Sequence, residues 1–223
     1  MLIYGKNVCE EYLKTGKKIN KTYLLNNCNN KNNYPNIEII DKNKMDKLIK
    51  GNTQGIVLDI DYEYSNLDEI INKENPLIVI LDHLEDPHNL GAIIRTCEAA
   101  GVDGIIIPEN RSVSVNSTVV HTSAGSIFNT KIVKVVNLRQ TILKLKKLGF
   151  WFIGTDMEGT NYRDVNYNGK TAIIIGSEGF GMSRIISEEC DFKVSIKMNG
   201  KINSLNASVA AGIIIYEAIY KRN

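Results

Sequence analysis

Cysteine and histidine are scarce in this chain. Cys9, Cys28, Cys97 and Cys190 stand far apart with no Cys-x-x-Cys spacing, so neither a zinc site nor a disulfide framework is signalled. The three histidines, His83, His88 and His121, do not fall at metal-ligand spacing beside those cysteines, and no metal is expected. Long apolar runs are missing too, which excludes a membrane-spanning helix. The start, Met1 through Lys6, lacks the basic, apolar and small-residue regions of a signal peptide, so the expected location is the cytoplasm, without a membrane partner. Charge of one sign is not in excess: 27 basic residues face 25 acidic ones.

What is present describes a folded protein. Apolar residues make up 43% and charged ones 23% of 223 residues, room for one generous domain or two small ones with a real core. The charge is unevenly spread. Residues 1–55 hold ten lysines against five acids, and residues 56–75 hold six acids against one lysine. A basic module followed by an acidic connector fits contact with a polyanion, although on charge alone a solvated lysine-rich surface is the simpler reading.

Two composition shifts divide the chain. Residues 26–36 form an asparagine-rich loop, and residues 61–76 are acidic and end in Pro76 before a strongly apolar strand. The boundary is placed there, giving an N-terminal piece over 1–72 and a C-terminal piece over 77–223. The first reads as a small α/β module with helices at Val8–Lys14 and Lys42–Ile49 and strands at Thr22–Leu25, Ile37–Ile40 and Gly55–Ile60. In the second, the apolar runs Leu77–Leu81, Gly104–Ile107, Lys131–Val136, Phe150–Gly154, Ala172–Ile175 and Phe192–Ile196 read as buried strands. Helices over Leu90–Ala100, Leu138–Leu148 and Asn206–Lys221 alternate with them, the first two closed by Gly101 and Gly149. Such alternation predicts an α/β domain with a mainly parallel sheet covered on both faces.

Three segments carry polar residues at strand ends. After Leu77–Leu81 comes Asp82-His83-Leu84-Glu85-Asp86-Pro87-His88-Asn89, with Arg95 two helical turns beyond. Asn89 is suited to capping a helix that begins at Leu90, and ligands of open α/β sheets lie at such strand ends. After Ala172–Ile175 comes Gly176-Ser177-Glu178-Gly179-Phe180-Gly181, whose glycines permit close approach and positive φ. Their order is G-x-x-G-x-G, not the G-x-G-x-x-G of dinucleotide folds, and no phosphate-loop Gly-Lys follows, which disfavours an NAD enzyme. Glu178 would repel phosphate and suits a hydroxyl, an amine or a cation. The third segment, Ser204-Leu205-Asn206-Ala207-Ser208, opens the last helix, and Ser204 and Asn206 are ordinary helix-start residues.

Taken singly, none of the three identifies a reaction. Their combination, in this order and near these separations, resembles the SpoU branch of the SPOUT methyltransferases over all of residues 77–223. Tyr4-Gly5-Lys6-Asn7-Val8, Lys17 through Lys21 and Thr53-Gln54-Gly55 likewise resemble that branch's small substrate-binding domain, which is similar to ribosomal protein L30e. The closest subgroup is the bacterial 23S rRNA guanosine-2′-O-methyltransferases.

The resemblance implies an α/β sheet whose C-terminal segment threads a deep trefoil knot, which topology rules alone would reject. It implies S-adenosylmethionine bound against loops holding Thr155, Gly176, Gly181, Ile196, Met198 and Leu205. It implies a homodimer acting on RNA without metal. Matched residue by residue, Arg95 is the family's catalytic arginine. Asn89 and Glu178 would orient Arg95 and the ribose, and Ser204 and Asn206 would complete the hydrogen-bond set. A tRNA guanosine methyltransferase and a catalytically silent RNA-binding protein are the rival readings.

Overall fold

A computed structural model describes residues 1–26, 28 and 33–222; residues 27 and 29–32 of the asparagine-rich loop expected at 26–36 therefore lie outside the described residues. Two sheets organise the chain. The first holds β1 (Leu2–Tyr4), β2 (Ile19–Leu25), β3 (Ile37–Ile40) and β4 (Ile56–Ile60) in the order β1-β4-β2-β3. Only the β2–β3 pair is parallel. Helix α1 (Lys6–Lys14) covers one face and α2 (Lys42–Leu48) the other, where Met45 packs on Ile40 and Val57. Asp41 caps α2 by accepting from the Lys44 N–H at 2.8 Å.

The second sheet holds β5 (Leu77–Asp82), β6 (Gly104–Pro108), β7 (Ile132–Val135), β8 (Trp151–Asn161), β9 (Thr171–Gly176) and β10 (Phe192–Ser195). All neighbours are parallel in the order β10-β8-β9-β5-β6-β7, as the unbroken Ile/Val/Leu runs predict. Side chains alternate between the faces. Leu77, Val79 and Leu81 of β5 join the layer formed with α4 (Pro87–Ala100), α5 (Ser117–Thr122) and α8 (Ala207–Arg222). Ile78 and Ile80 point into the opposite layer with α3 (Asp68–Ile71), α6 (Leu138–Lys147) and α7 (Arg184–Ser187). The terminal helix returns the chain from the β10 edge to the middle of the sheet, where it packs on α4 and β9.

Several elements differ from the sequence reading. Helix α4 begins at Pro87, and Asp86 rather than Asn89 is its cap, accepting from the His88 N–H at 2.9 Å. A cap followed by proline at the first helical position is the stronger start signal. Strand β8 continues seven residues beyond Gly154 into a polar stretch, re-registering against β10 at Lys193 and Val194. The acidic connector is not a free linker. The Ser65 N–H donates to the Ile132 carbonyl at 2.8 Å, and Ile70 is buried against Gly104.

The N-terminal module shares its core with the second sheet's α4–α5 layer. Tyr12 meets Phe128 edge-on at 5.0 Å between ring centres, and Tyr4 stacks on His121 at 4.8 Å. Val8, Cys9, Val119 and Ile127 lie in one buried cluster. The two sheets are therefore joined by a packed apolar interface as well as by the chain.

Candidate active site

The carboxyl ends of β8, β9 and β10 open into a cleft of about 1240 Å³, ample for a nucleoside carrying an amino-acid arm. Thr155 and Asp156 of β8, the loop from Gly176 to Met182, and the segment from Ser195 to Ala207 form its walls. Thus six residues expected to hold a cofactor, Thr155, Gly176, Gly181, Ile196, Met198 and Leu205, all line one cavity.

The glycine loop has the shape the sequence implies, for a partly different reason. Ser177 and Gly181 exchange two backbone hydrogen bonds of 3.0 Å, closing the loop on itself. Gly181 takes φ +67°, a region that favours glycine. At Gly176 the constraint comes from the protein itself. A Cβ there would sit 2.2 Å from the Gly181 carbonyl carbon and 2.3 Å from the Met182 nitrogen. The Thr155 hydroxyl accepts from the Gly176 N–H at 3.5 Å, tying β8 to the loop.

Asn89, Glu178 and Asn206, far apart in sequence, meet at the cleft. The Asn89 amide donates to Glu178 Oε1 at 2.8 Å and to Asp86 Oδ2 at 3.2 Å. Its carbonyl accepts from Asn206 Nδ2 at 2.9 Å, and Asn206 Nδ2 also donates to Glu178 Oε1 at 2.5 Å. Asn206 meanwhile caps α8, its Oδ1 accepting from the Ser208 N–H at 2.9 Å. Asn206 thus both caps α8 and joins Asn89 and Glu178 at the cleft. Asn89 is buried inside α4 and caps no helix.

Two expected members stand apart from this network. Ser204 is exposed on the cleft wall. Arg95 is exposed on α4, outside the cleft lining, and no hydrogen bond or ion pair joins it to Asn89 or Glu178 among the described residues. Sequence reasoning missed Asp86, whose carboxylate holds both the helix start and Asn89. The Asp-Pro pair was the available signal. Beneath the loop, burial pushes the Cys190 thiol up to about 12, and it contacts Met182 Sδ at 3.8 Å. This thiol is protonated packing material and not a nucleophile.

The lining matches a cationic nucleoside cofactor. Ile175, Val194, Ile196 and Leu205 offer an apolar wall for a purine, and Asp156 offers a carboxylate to a cationic group. Among the described residues no group of three or more His, Cys, Asp or Glu is placed to hold a metal ion, and no helix is long and apolar enough to cross a membrane.

Comparison with known proteins agrees over the whole length. The SpoU rRNA Methylase family profile matches residues 76–216, and the RNA 2′-O ribose methyltransferase substrate binding profile matches residues 2–65. A Bacillus subtilis protein assigned to the TrmH family of tRNA/rRNA methyltransferases is 39% identical, with 99% of this chain and 96% of that protein covered. A Staphylococcus epidermidis relative assigned to the same family is 41% identical, covering 100% and 96%. The SpoU methyltransferase AviRb of Streptomyces viridochromogenes, solved with S-adenosylmethionine, superposes with TM-score 0.87 at 25% identity, covering 99% of this chain and 90% of that one. An S-adenosylmethionine-bound rRNA methyltransferase of Sinorhizobium meliloti gives 0.87 at 26%, covering 97% and 85%. The chain belongs to the SpoU/TrmH family of RNA methyltransferases, transferases that use S-adenosylmethionine.

Proposed function

We propose that the protein methylates the 2′-hydroxyl of a guanosine ribose in 23S rRNA, acting as a homodimer with its cofactor in the cleft described above. The observation that carries this reading is the Asn89–Glu178–Asn206 network at the mouth of that cleft. Bound there, S-adenosylmethionine supplies an electrophilic methyl group on a positively charged sulfur.

The protein's part is orientation and charge. A ribose hydroxyl is a weak nucleophile that must be aligned with the methyl group and have its proton loosened. Two asparagines fix Glu178 through Oε1 and leave Oε2 without a protein partner among the described residues, available to the incoming hydroxyl. The Ser204 hydroxyl on the facing wall supplies a further hydrogen bond. Arg95 holds the phosphate beside the target ribose and stabilises the charge that develops on the 2′-oxygen. A guanidinium stays protonated in proteins, so Arg95 acts as a cation and not as a base.

The substrate-binding module of residues 2–65 and its lysines support a structured RNA substrate. Val209, Tyr216 and Tyr220 recur on one exposed face of α8, an apolar stripe of the kind a second copy covers. The return of 196–206 from the β10 edge to α8 is the crossing we assign to the family's knot. Because the relatives are named tRNA/rRNA methyltransferases, a tRNA guanosine is the second reading.

Mapping ribose methylation in rRNA and tRNA from cells with and without the gene tests the proposal. Loss of one guanosine ribose methyl from 23S rRNA supports it. Loss confined to tRNA moves the assignment to the second reading, and no loss in either contradicts both.

A further inference from the structure

One charged group beside the cleft has no part in the chemistry above. Asp82 ends β5, the strand paired with β9, and its register partner is Gly176, where the glycine loop starts. Its side chain is fully buried. Burial of a carboxylate is costly unless its oxygens are hydrogen-bonded, and both are. Oδ2 accepts from the Ser183 backbone N–H at 2.6 Å, and Oδ1 accepts from His83 Nδ1 at 2.5 Å. His83 reaches this position with φ +56°, an unfavourable backbone conformation for a residue with a side chain, of the sort that persists where surroundings enforce it.

Ser183 is the residue at which the glycine loop ends, two positions past Gly181 and at the cap of α7. The loop leaves β9 at Gly176, and its closing stem is held by Asp82. Its outer part is held by Asn89 through Glu178. Both anchors belong to the single segment 82–89. The structure assigns Asp82 as a positioning residue that fixes the glycine loop in the shape that receives S-adenosylmethionine, with His83 as its supporting partner. Without Asp82 the Ser183 N–H loses its acceptor, and ordering the loop must be charged against cofactor binding.

This inference rests on reading the cleft as the cofactor site. The test uses the full chain, S-adenosylmethionine titration calorimetry, steady-state KM values for cofactor and RNA, and thermal melting. Asp82→Ala should weaken S-adenosylmethionine binding roughly tenfold or more, about 1.4 kcal/mol by the affinity scale. KM for the cofactor should rise in parallel, with KM for RNA unchanged. Asp82→Asn keeps an acceptor for Ser183, and His83 can change tautomer to meet the amide, so it should restore most of the affinity. Ser183→Pro removes the same hydrogen bond from the other side at a residue whose φ of −61° suits proline. It should match Asp82→Ala, the double variant being little worse than either, and it keeps the test decisive if Asp82→Ala does not fold. Cofactor affinity unchanged in Ser183→Pro or Asp82→Ala overturns the assignment, as does equal damage to both KM values or no rescue by Asp82→Asn. Ile196→Trp, on the opposite wall, separates the two ideas. If it binds cofactor normally, the cleft reading fails instead.

Discussion

Replacing Asn89 with aspartate changes one atom's chemistry at the centre of the site network. The wild-type amide nitrogen lies 2.8 Å from Glu178 Oε1 and 3.2 Å from Asp86 Oδ2, so the variant sets a carboxylate oxygen against two others. Two unit charges about 3 Å apart repel by about 1.4 kcal/mol in water and about 5.5 kcal/mol at an effective dielectric of 20. Glu178 is exposed and Asp86 half-buried, so the lower end applies, and the total penalty at pH 7 is on the order of 2–4 kcal/mol. That penalty raises the folded-state pKa of the new carboxyl above its ordinary value of about 3.9. The folded protein then binds the proton more tightly than the unfolded chain. Below about pH 4 both states are protonated and the acid mimics the amide, donating to Glu178 and accepting from Asn206. As pH rises through and beyond that value the variant loses stability relative to wild type. Urea denaturation of both proteins at several pH values between about 4 and 7 measures the difference. A deficit independent of pH, or one that shrinks as pH rises, would refute the geometry.

Three further outcomes follow from the same structure. Gly176→Ala should displace the glycine loop, because its Cβ would overlap the Gly181 and Met182 backbone; calorimetry should show cofactor binding lost, and melting a cost of about 1–3 kcal/mol. Burial pushes the Cys9 thiol up to about 12 and Cys97 is buried as well, so near neutral pH a thiol-specific disulfide reagent should label the partly exposed Cys28 quickly and Cys9 and Cys97 only after denaturation. Arg95→Ala should lower the methyl-transfer rate by roughly 10²–10³ with cofactor affinity retained, and Arg95→Lys should recover little, since an ammonium lacks the planar two-pronged donor set.

Much of the second sheet is legible in the sequence because its central strands β5, β6 and β9 are buried on both faces. Leu77–Leu81 and Ala172–Ile175 leave no polar residue to confuse the pattern, and Gly101 stops its helix in the left-handed conformation expected of it. The sequence pattern ends β8 at Gly154 because beyond it the strand borders β10 and the cleft, so Asp156, Glu158 and Thr160 sit there without the apolar alternation that marks a strand. Short helices such as α5 and α7 carry too few residues for a period to show. Asn89 illustrates a different gap. Capping and site residues share one chemistry, and only the structure shows that Asp86 takes the cap and frees Asn89 for Glu178. The shared core of the two sheets was invisible because periodicity reveals that a face is buried and not what buries it. Tyr12 and Phe128 carry no mark that they meet.

In the proposed reaction the cleft and the residues around it direct a methyl group to a ribose oxygen of RNA. The most direct measurement is single-turnover transfer from labelled S-adenosylmethionine to a 23S rRNA fragment and to tRNA, followed by digestion to nucleosides. Labelled 2′-O-methylguanosine from the rRNA with the wild-type protein, and its near absence with Arg95→Ala at unchanged cofactor affinity, is the predicted result. Label on a base would contradict transfer to the ribose, and normal turnover by the alanine variant would contradict the role of Arg95.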